Sequence, residues 1–191
     1  MEGIRVDVVE AIAQRRSVKV FEPVAVPRET IERLLELAVL APNHRMTEPW
    51  GFFVLGEETR ERYGHVRARF KTAQIVDSDK AVRKRERILA DTVAIPAVIA
   101  VSSYLDDDPV TREEDYAAVF MAIENILLAA QSFGLGSKVH TGRILEDDEL
   151  RTALDVPRQH RLVAMLHLGI PRELPALKPR RPAAEVTRWL P

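Results

Sequence analysis

Two arginines, a serine and a lysine fall within five positions at Arg15-Arg16-Ser17-Val18-Lys19, directly after a stretch with helical apolar spacing. Two guanidiniums, a hydroxyl and an ammonium this close together can clamp a dianionic phosphate, because a guanidinium is a planar bidentate donor and an ammonium adds a point charge. The same residues also suit the last turn of a helix, where cations complement the macrodipole and the orphan carbonyls. Their spacing leaves both readings open. A second basic group, Lys178-Pro179-Arg180-Arg181, lies in the proline-rich C-terminal stretch. Between the two come a polar loop, Asn43-His44-Arg45-Met46-Thr47-Glu48, and a run with donors at Lys138, His140 and Thr141. His44 and His140 have the chemistry to donate a hydrogen bond or a proton, and equally to serve as structural histidines. Asp106-Asp107-Asp108 could hold a hard cation, but no further ligands follow at suitable spacing, and acids before Pro109 read as a helix cap.

The elements that must position these groups are legible from periodicity. Val6 to Gln14 carries Val6, Val9, Ile12 and Ala13 on one stripe of a short helix. Arg28 to Leu40 reads as a firm helix introduced by Pro27, with Ile31, Leu34, Leu35, Ala38 and Val39 at helical spacing, and it stops before Pro42. The polar loop then leads into Trp50 to Leu55, a strand by its aromatic and β-branched content. Glu57 to about Leu89 is helical and highly charged; its cations are interleaved with Glu61, Asp77, Asp79 and Glu86, which favours a solvated face over a polyanion patch. Ala97 to Ser103 and Leu162 to Gly169 read as core strands, and Gly136 to Gly142 as a strand and turn. Glu113 to Phe133 is apolar nearly all round, as befits a central helix or a subunit interface, and Gly134 suits its C-terminal cap. Asp147 to Leu154 reads as a short surface helix. Ile170 to Pro191 is too proline-rich to build a core and either hangs free or wraps over something such as a second subunit, with Trp189 and Leu190 as anchors.

The chain has 191 residues and a formal net charge of -1, so no global field draws it to nucleic acid or an acidic membrane. It has no cysteine, which removes disulfides, iron–sulfur clusters and thiol nucleophiles together. The first residues show no apolar core of signal-peptide length, and no apolar run reaches the roughly 20 residues of a membrane helix. A cytoplasmic protein with one domain over residues 1–191 is the expectation.

Four stretches in this order resemble the nitroreductase family, especially its short single-domain bacterial members. They are Arg15-Arg16-Ser17-Val18-Lys19; Ala41-Pro42-Asn43-His44 through Pro49-Trp50-Gly51-Phe52; Gly134-Leu135-Gly136 after the long helix; and Leu168-Gly169-Ile170-Pro171 followed by Lys178-Pro179-Arg180. The resemblance implies an α+β fold, a sandwich with a central mixed sheet flanked by helices, in an intertwined homodimer with FMN at the interface. It implies that Arg15, Arg16 and Ser17 reach the FMN phosphate and ribityl region, with Lys178 and Arg180 completing the phosphate site. Lys19 would lie at the ring edge, where a cation stabilises charge on the reduced ring. Asn43, His44, Thr47 and Glu48 would come from the other subunit, and Val139, His140 and Thr141 would pass on the opposite side of the ring.

The implied activity is transfer of a hydride from NADH or NADPH through flavin N5 to a nitroaromatic, quinone or similar small acceptor, by ping-pong kinetics. No side-chain nucleophile is needed, in keeping with a chain that lacks Cys, and neither a metal nor nucleic acid is called for. Four residues depart from the family pattern. Glu48 stands where Gln is common before the Pro-Trp pair, Lys19 stands where Arg is frequent, and Lys138 and His140 replace small and aromatic residues. These departures bear on substrate class. Enone reduction, dehydrogenation, or flavin binding without nicotinamide-dependent turnover fit the same scaffold.

Overall fold

Two adjacent strands buried on both faces build the molecule around one sheet. The structure is a computed structural model and describes residues 7–191; Val6, expected on the first helix, lies outside the described residues. Four strands, β1 (Trp50–Val54), β2 (Ala97–Tyr104), β3 (Gly136–His140) and β4 (His160–Gly169), stand in the order β1-β2-β4-β3. Every pairing between them is antiparallel. The expected mixed character is confined to one isolated parallel bridge, Ser17 to Ser137, at the β3 edge.

Period-two alternation sends Ala97, Ile99 and Val101 of β2 to one face and Val98 and Ala100 to the other. On the first face they meet Leu166 and Leu168 of β4, with Leu34 of α2 (Arg28–Ala38) and Ile123, Ile126 and Leu127 of α5 (Pro109–Ser132). On the second they meet Tyr63 and Val66 of α3 (Glu57–Thr72) and Leu150 of α6 (Asp148–Ala153). Full burial of each of the valines, leucines and isoleucines contributes roughly 1.5–3 kcal/mol. The β2–β4 register slips at Val101/Ser102, leaving Val163 as the additional β4 residue. The result is helices on both faces of a sheet.

The helix ends follow their caps. Asp108 accepts from Thr111 N at 2.9 Å and from Thr111 Oγ1 at 2.7 Å, so α5 starts at Pro109, earlier than its apolar pattern indicates. Those hydrogen bonds hold the Asp108 carboxyl below its ordinary pKa. The single charged helix expected over 57–89 is two: α3, then α4 (Ser78–Val93), begun by Asp77 accepting from Lys80 N at 2.9 Å. The first helix, α1 (Val8–Gln14), buries Ala11 while Val9 and Ile12 stay exposed, so the expected apolar stripe is uncovered in one chain. Among the described residues no helix is long and apolar enough to cross a membrane.

Candidate functional site

The N-terminal basic motif is held by an edge-strand anchor. The chain leaves α1 at Arg15, whose extended backbone ends the helix, and runs beside β3. Val18 N donates to Ser137 O at 2.9 Å, and the Val18 side chain is 1% exposed. Because Val18 points inward, strand alternation turns Ser17 and Lys19 outward. The C-terminal stretch returns to the same place: Phe21 bridges Pro171, and Arg172 N donates to Val20 O at 3.1 Å. These two anchors bring Arg15, Arg16, Ser17, Lys19, Lys178 and Arg180 around one cleft of about 550 Å³.

The cations in this cleft are largely uncommitted. Arg15 stands 3.8 Å from Glu124, a long ion pair. Arg16 Nη1 donates to Gln14 O, while its Nε is buried without a partner. Arg180 donates only to the carbonyls of Lys178 and Pro179, at 3.3 and 3.4 Å. A buried guanidinium N–H without an acceptor is costly, and a ligand oxygen would satisfy it. The two basic segments, 159 residues apart from Ser17 to Ala176 in sequence, line one cleft.

The polar loop is elsewhere in the same chain. His44 Nδ1 lies 2.9 Å from Glu114 Oε2, and Thr47 Oγ1 donates to Asp115 Oδ1 at 2.5 Å, both at the start of α5. Arg15 meets Glu124, ten residues further along that helix, so the two groups are about 15 Å apart along its axis. Asn43 Oδ1 accepts from Glu48 N at 3.0 Å. Arg45, Met46 and Glu48 all have positive φ, at 60°, 52° and 47°, an arrangement that costs of order 1 kcal/mol per residue and persists only where the surroundings impose it. One chain does not bring Asn43, His44, Thr47 and Glu48 to the cleft.

The β3 residues divide between the two faces of the sheet. Val139 packs against the core shared with α5, whereas Lys138 and His140 face α3. There the His140 and His167 rings are 4.4 Å apart, and Tyr63 Oη lies 3.2 Å from His167 Nε2. Burial, then His140 and the cations Arg67 and Lys138, keeps His167 well below its ordinary pKa, so its Nε2 accepts from the tyrosine. Burial first, then Lys138, Arg67 and Lys71, pushes His140 down to about 4. Burial drives the Tyr63 hydroxyl up to about 12. Thr141 joins His140 in a cleft of about 230 Å³ with Tyr63, Arg67, Phe70 and Lys71. Lys19 and Lys138 share an adjoining cleft of about 540 Å³ with Arg67 and His167.

Sequence reasoning assigned the α3 cations to a solvated face and so missed Arg67 and Lys71. The available signal was the stripe Tyr63, Arg67, Lys71 at i, i+4 and i+8, an aromatic and two cations on one helix face. His167, inside an apolar strand, gave no signal beyond its own polarity.

Comparison with known proteins places the chain among relatives. A model described as the Nitroreductase family matches residues 12–170. YfhC of Bacillus subtilis (strain 168), named for an NAD(P)H nitroreductase, is 32% identical over 174 residues, 91% of this chain and 89% of its own. The 5,6-dimethylbenzimidazole synthase of Rhodospirillum rubrum is 30% identical over 179 residues, covering 87% of this chain and 83% of its own. Among solved structures, a nitroreductase-like family protein from Bacillus cereus superposes with a TM-score of 0.82 at 28% identity, over 97% of this chain and 96% of that one. The FMN and NADPH-dependent nitroreductase NfnB from Sphigopyxis sp. strain HMH shares the fold, with a TM-score of 0.78 at 21% identity, over 97% and 100%.

Proposed function

The chain belongs to the nitroreductase family, and we propose that it is an FMN-dependent oxidoreductase passing a hydride from NADH or NADPH to a nitroaromatic, quinone or similar acceptor. The observation that carries this reading is the cleft where Arg15, Arg16, Ser17, Lys178 and Arg180 converge with a buried Arg16 Nε lacking a partner. That donor set fits a phosphate monoester. FMN, when bound, supplies the hydride-accepting ring, and the protein binds, orients and tunes it.

Each residue then has a physical task. Arg15, Arg16, Lys178 and Arg180 hold the phosphate dianion, with Ser17 as a neutral donor. Lys19, which lines both the phosphate cleft and the adjoining one, places a cation beyond the phosphate, where it favours negative charge on a reduced ring. His140 and Thr141 contribute from the end of β3, with Val139 in the core on the other face of that strand. His140 is uncharged at neutral pH, so it acts as a hydrogen-bonding group.

A second copy of the chain completes the site in this reading. The loop Asn43, His44, Thr47 and Glu48 lies about 15 Å from the phosphate cleft along α5 and reaches flavin only across a dimer interface. Apolar side chains that one chain leaves uncovered support this, among them Val9, Ile12, Met121 and, in the C-terminal stretch, Trp189 at 93% exposure and Leu190. Residues 170–191 then wrap the partner subunit. A different flavin reaction on the same scaffold is the second reading, favoured by the 30% identity to a 5,6-dimethylbenzimidazole synthase.

Purified protein should be yellow, release FMN on denaturation, elute as a dimer by light scattering, and oxidise NADH or NADPH with a nitroaromatic or quinone. Protein that stays colourless after incubation with FMN contradicts the proposal. Bound FMN without NAD(P)H oxidation favours the second reading.

A further inference from the structure

The cleft between α3 and the end of β3 carries more positive charge than the fold neutralises. Arg67, Lys71 and Arg143 line it, Lys138 stands in the adjoining cleft that Arg67 also lines, and among the described residues none of the four has a carboxylate oxygen within 4.0 Å. The neighbouring Arg87 and Arg172, by contrast, are matched by Asp91 at 3.7 Å and Glu22 at 3.5 Å. Arg67 commits one N–H to Thr92 Oγ1 at 2.6 Å and sits 5.5 Å over the Tyr63 ring, which orients it without cancelling its charge. Lys138 is half-buried, and its pKa is lowered first by burial and then by Arg67, Lys19 and Lys71. Like charges held this close oppose one another unless an anion joins them.

The lining also restricts the shape of that anion. The cavity of about 230 Å³ is smaller than the roughly 300–1,000 Å³ of ordinary ligand pockets, so it takes one ring or one charged group rather than a whole dinucleotide. Phe70, 41% exposed, offers an aromatic wall, and His140 Nε2 is buried without a partner. Arg67 lines both this cavity and the cleft that holds Lys19 and Lys138, and Lys19 lines both that cleft and the phosphate cleft. A molecule meeting a ring anchored in the phosphate cleft can therefore place an oxyanion here.

We propose that Arg67, Lys71, Lys138 and Arg143 form a subsite for the carboxylate or phosphate group of the substrate that meets the flavin. The inference rests on the flavin reading for the identity of that substrate, while the anion site itself follows from the charges. Carboxylate and phosphate share the recognition chemistry, bidentate guanidinium and point-charge ammonium, and differ in who carries them: an anionic acceptor, or a phosphorylated nicotinamide nucleotide.

The test compares the parent with the double variant Lys71→Met/Arg143→Met, both positions exposed. The ratio of kcat/KM for 4-nitrobenzoate to that for 4-nitrobenzyl alcohol is expected to fall at least tenfold if the subsite takes a carboxylate. A tenfold fall in the NADPH-to-NADH ratio identifies the nucleotide phosphate instead. If neither ratio moves in variant protein that retains its FMN, the subsite is refuted. FMN content separates this failure from that of the flavin reading. Parent protein that holds no FMN contradicts the latter, and calorimetry of 4-nitrobenzoate against parent and double variant then decides the subsite, tenfold weaker binding to the variant supporting it and equal binding overturning it.

Discussion

Gly136→Ala should loosen the flavin phosphate site without touching it. A Cβ at Gly136 would stand 2.6 Å from Val18 Cγ2, 3.0 Å from Val18 Cβ and 3.3 Å from Pro171 Cβ. Ordinary carbon contacts are about 3.5–4.0 Å, so roughly 1 Å of movement is required. Val18 cannot supply it by rotation, because a β-branched side chain has few χ1 options and this one is 1% exposed. Its backbone is tied to Ser137 O, so relief displaces residues 16–19 as a piece. Overpacking of this kind costs about 1–3 kcal/mol of stability. Charge-assisted hydrogen bonds from the displaced segment are worth about 1.5–3 kcal/mol each, so impairing one weakens FMN by roughly tenfold or more. Urea unfolding of the apoprotein and titration with FMN, followed by quenching of flavin fluorescence, measure the two effects. Val18→Ala alone leaves a cavity, but in the Gly136→Ala background it makes room, and the pair should show a favourable coupling of about 1 kcal/mol or more. Strictly additive losses, or a Gly136→Ala variant that binds FMN like the parent, would refute the steric link between β3 and the basic segment.

Other consequences are as direct. Arg15→Ala and Arg180→Ala should each weaken FMN binding by about 1.5–3 kcal/mol, and undiminished affinity in both would overturn the phosphate assignment. Thr47→Val removes the donor to buried Asp115, whose Oδ2 already lacks a partner, and should cost about 1–3 kcal/mol of stability in urea melts; a neutral result would place that carboxylate in contact with something else. His140, held uncharged in the fold, binds its proton later than in the unfolded chain. Its contribution to stability is therefore present above pH 6.5 and declines as pH falls from 6.5 to about 4. His140→Gln should accordingly flatten the acid limb of stability over that window, and an unchanged slope between pH 7 and 4.5 would contradict it.

The strands and the long helix were legible because their burial leaves continuous apolar runs, as in Ala97 to Val101 and Leu162 to Met165. The break between α3 and α4 was less visible. Its signal is only Asp77 as an N-cap, in a stretch whose charges otherwise continue unbroken. On α1, apolar spacing pointed to a buried stripe, yet Val9 and Ile12 are exposed, since the pattern reports that a face is to be covered and not by which chain. The two basic segments were each readable as motifs, but their convergence depends on the Ser17–Ser137 and Phe21–Pro171 bridges, which join residues far apart in sequence. Arg67 and Lys71 escaped notice for a related reason. A cation on a charged helix looks solvated until the strand opposite it, here with Lys138 and His140, is in place.

A paired titration tests the phosphate cleft. Apoprotein is titrated with FMN and with riboflavin, which carries the same ring and ribityl chain but no phosphate. With Arg15, Arg16, Ser17, Lys178 and Arg180 holding the dianion, FMN should bind at least a hundredfold more tightly, about 2.7 kcal/mol, as expected from one or two charge-assisted hydrogen bonds. Equal affinity for the two, or no binding of either, would contradict it.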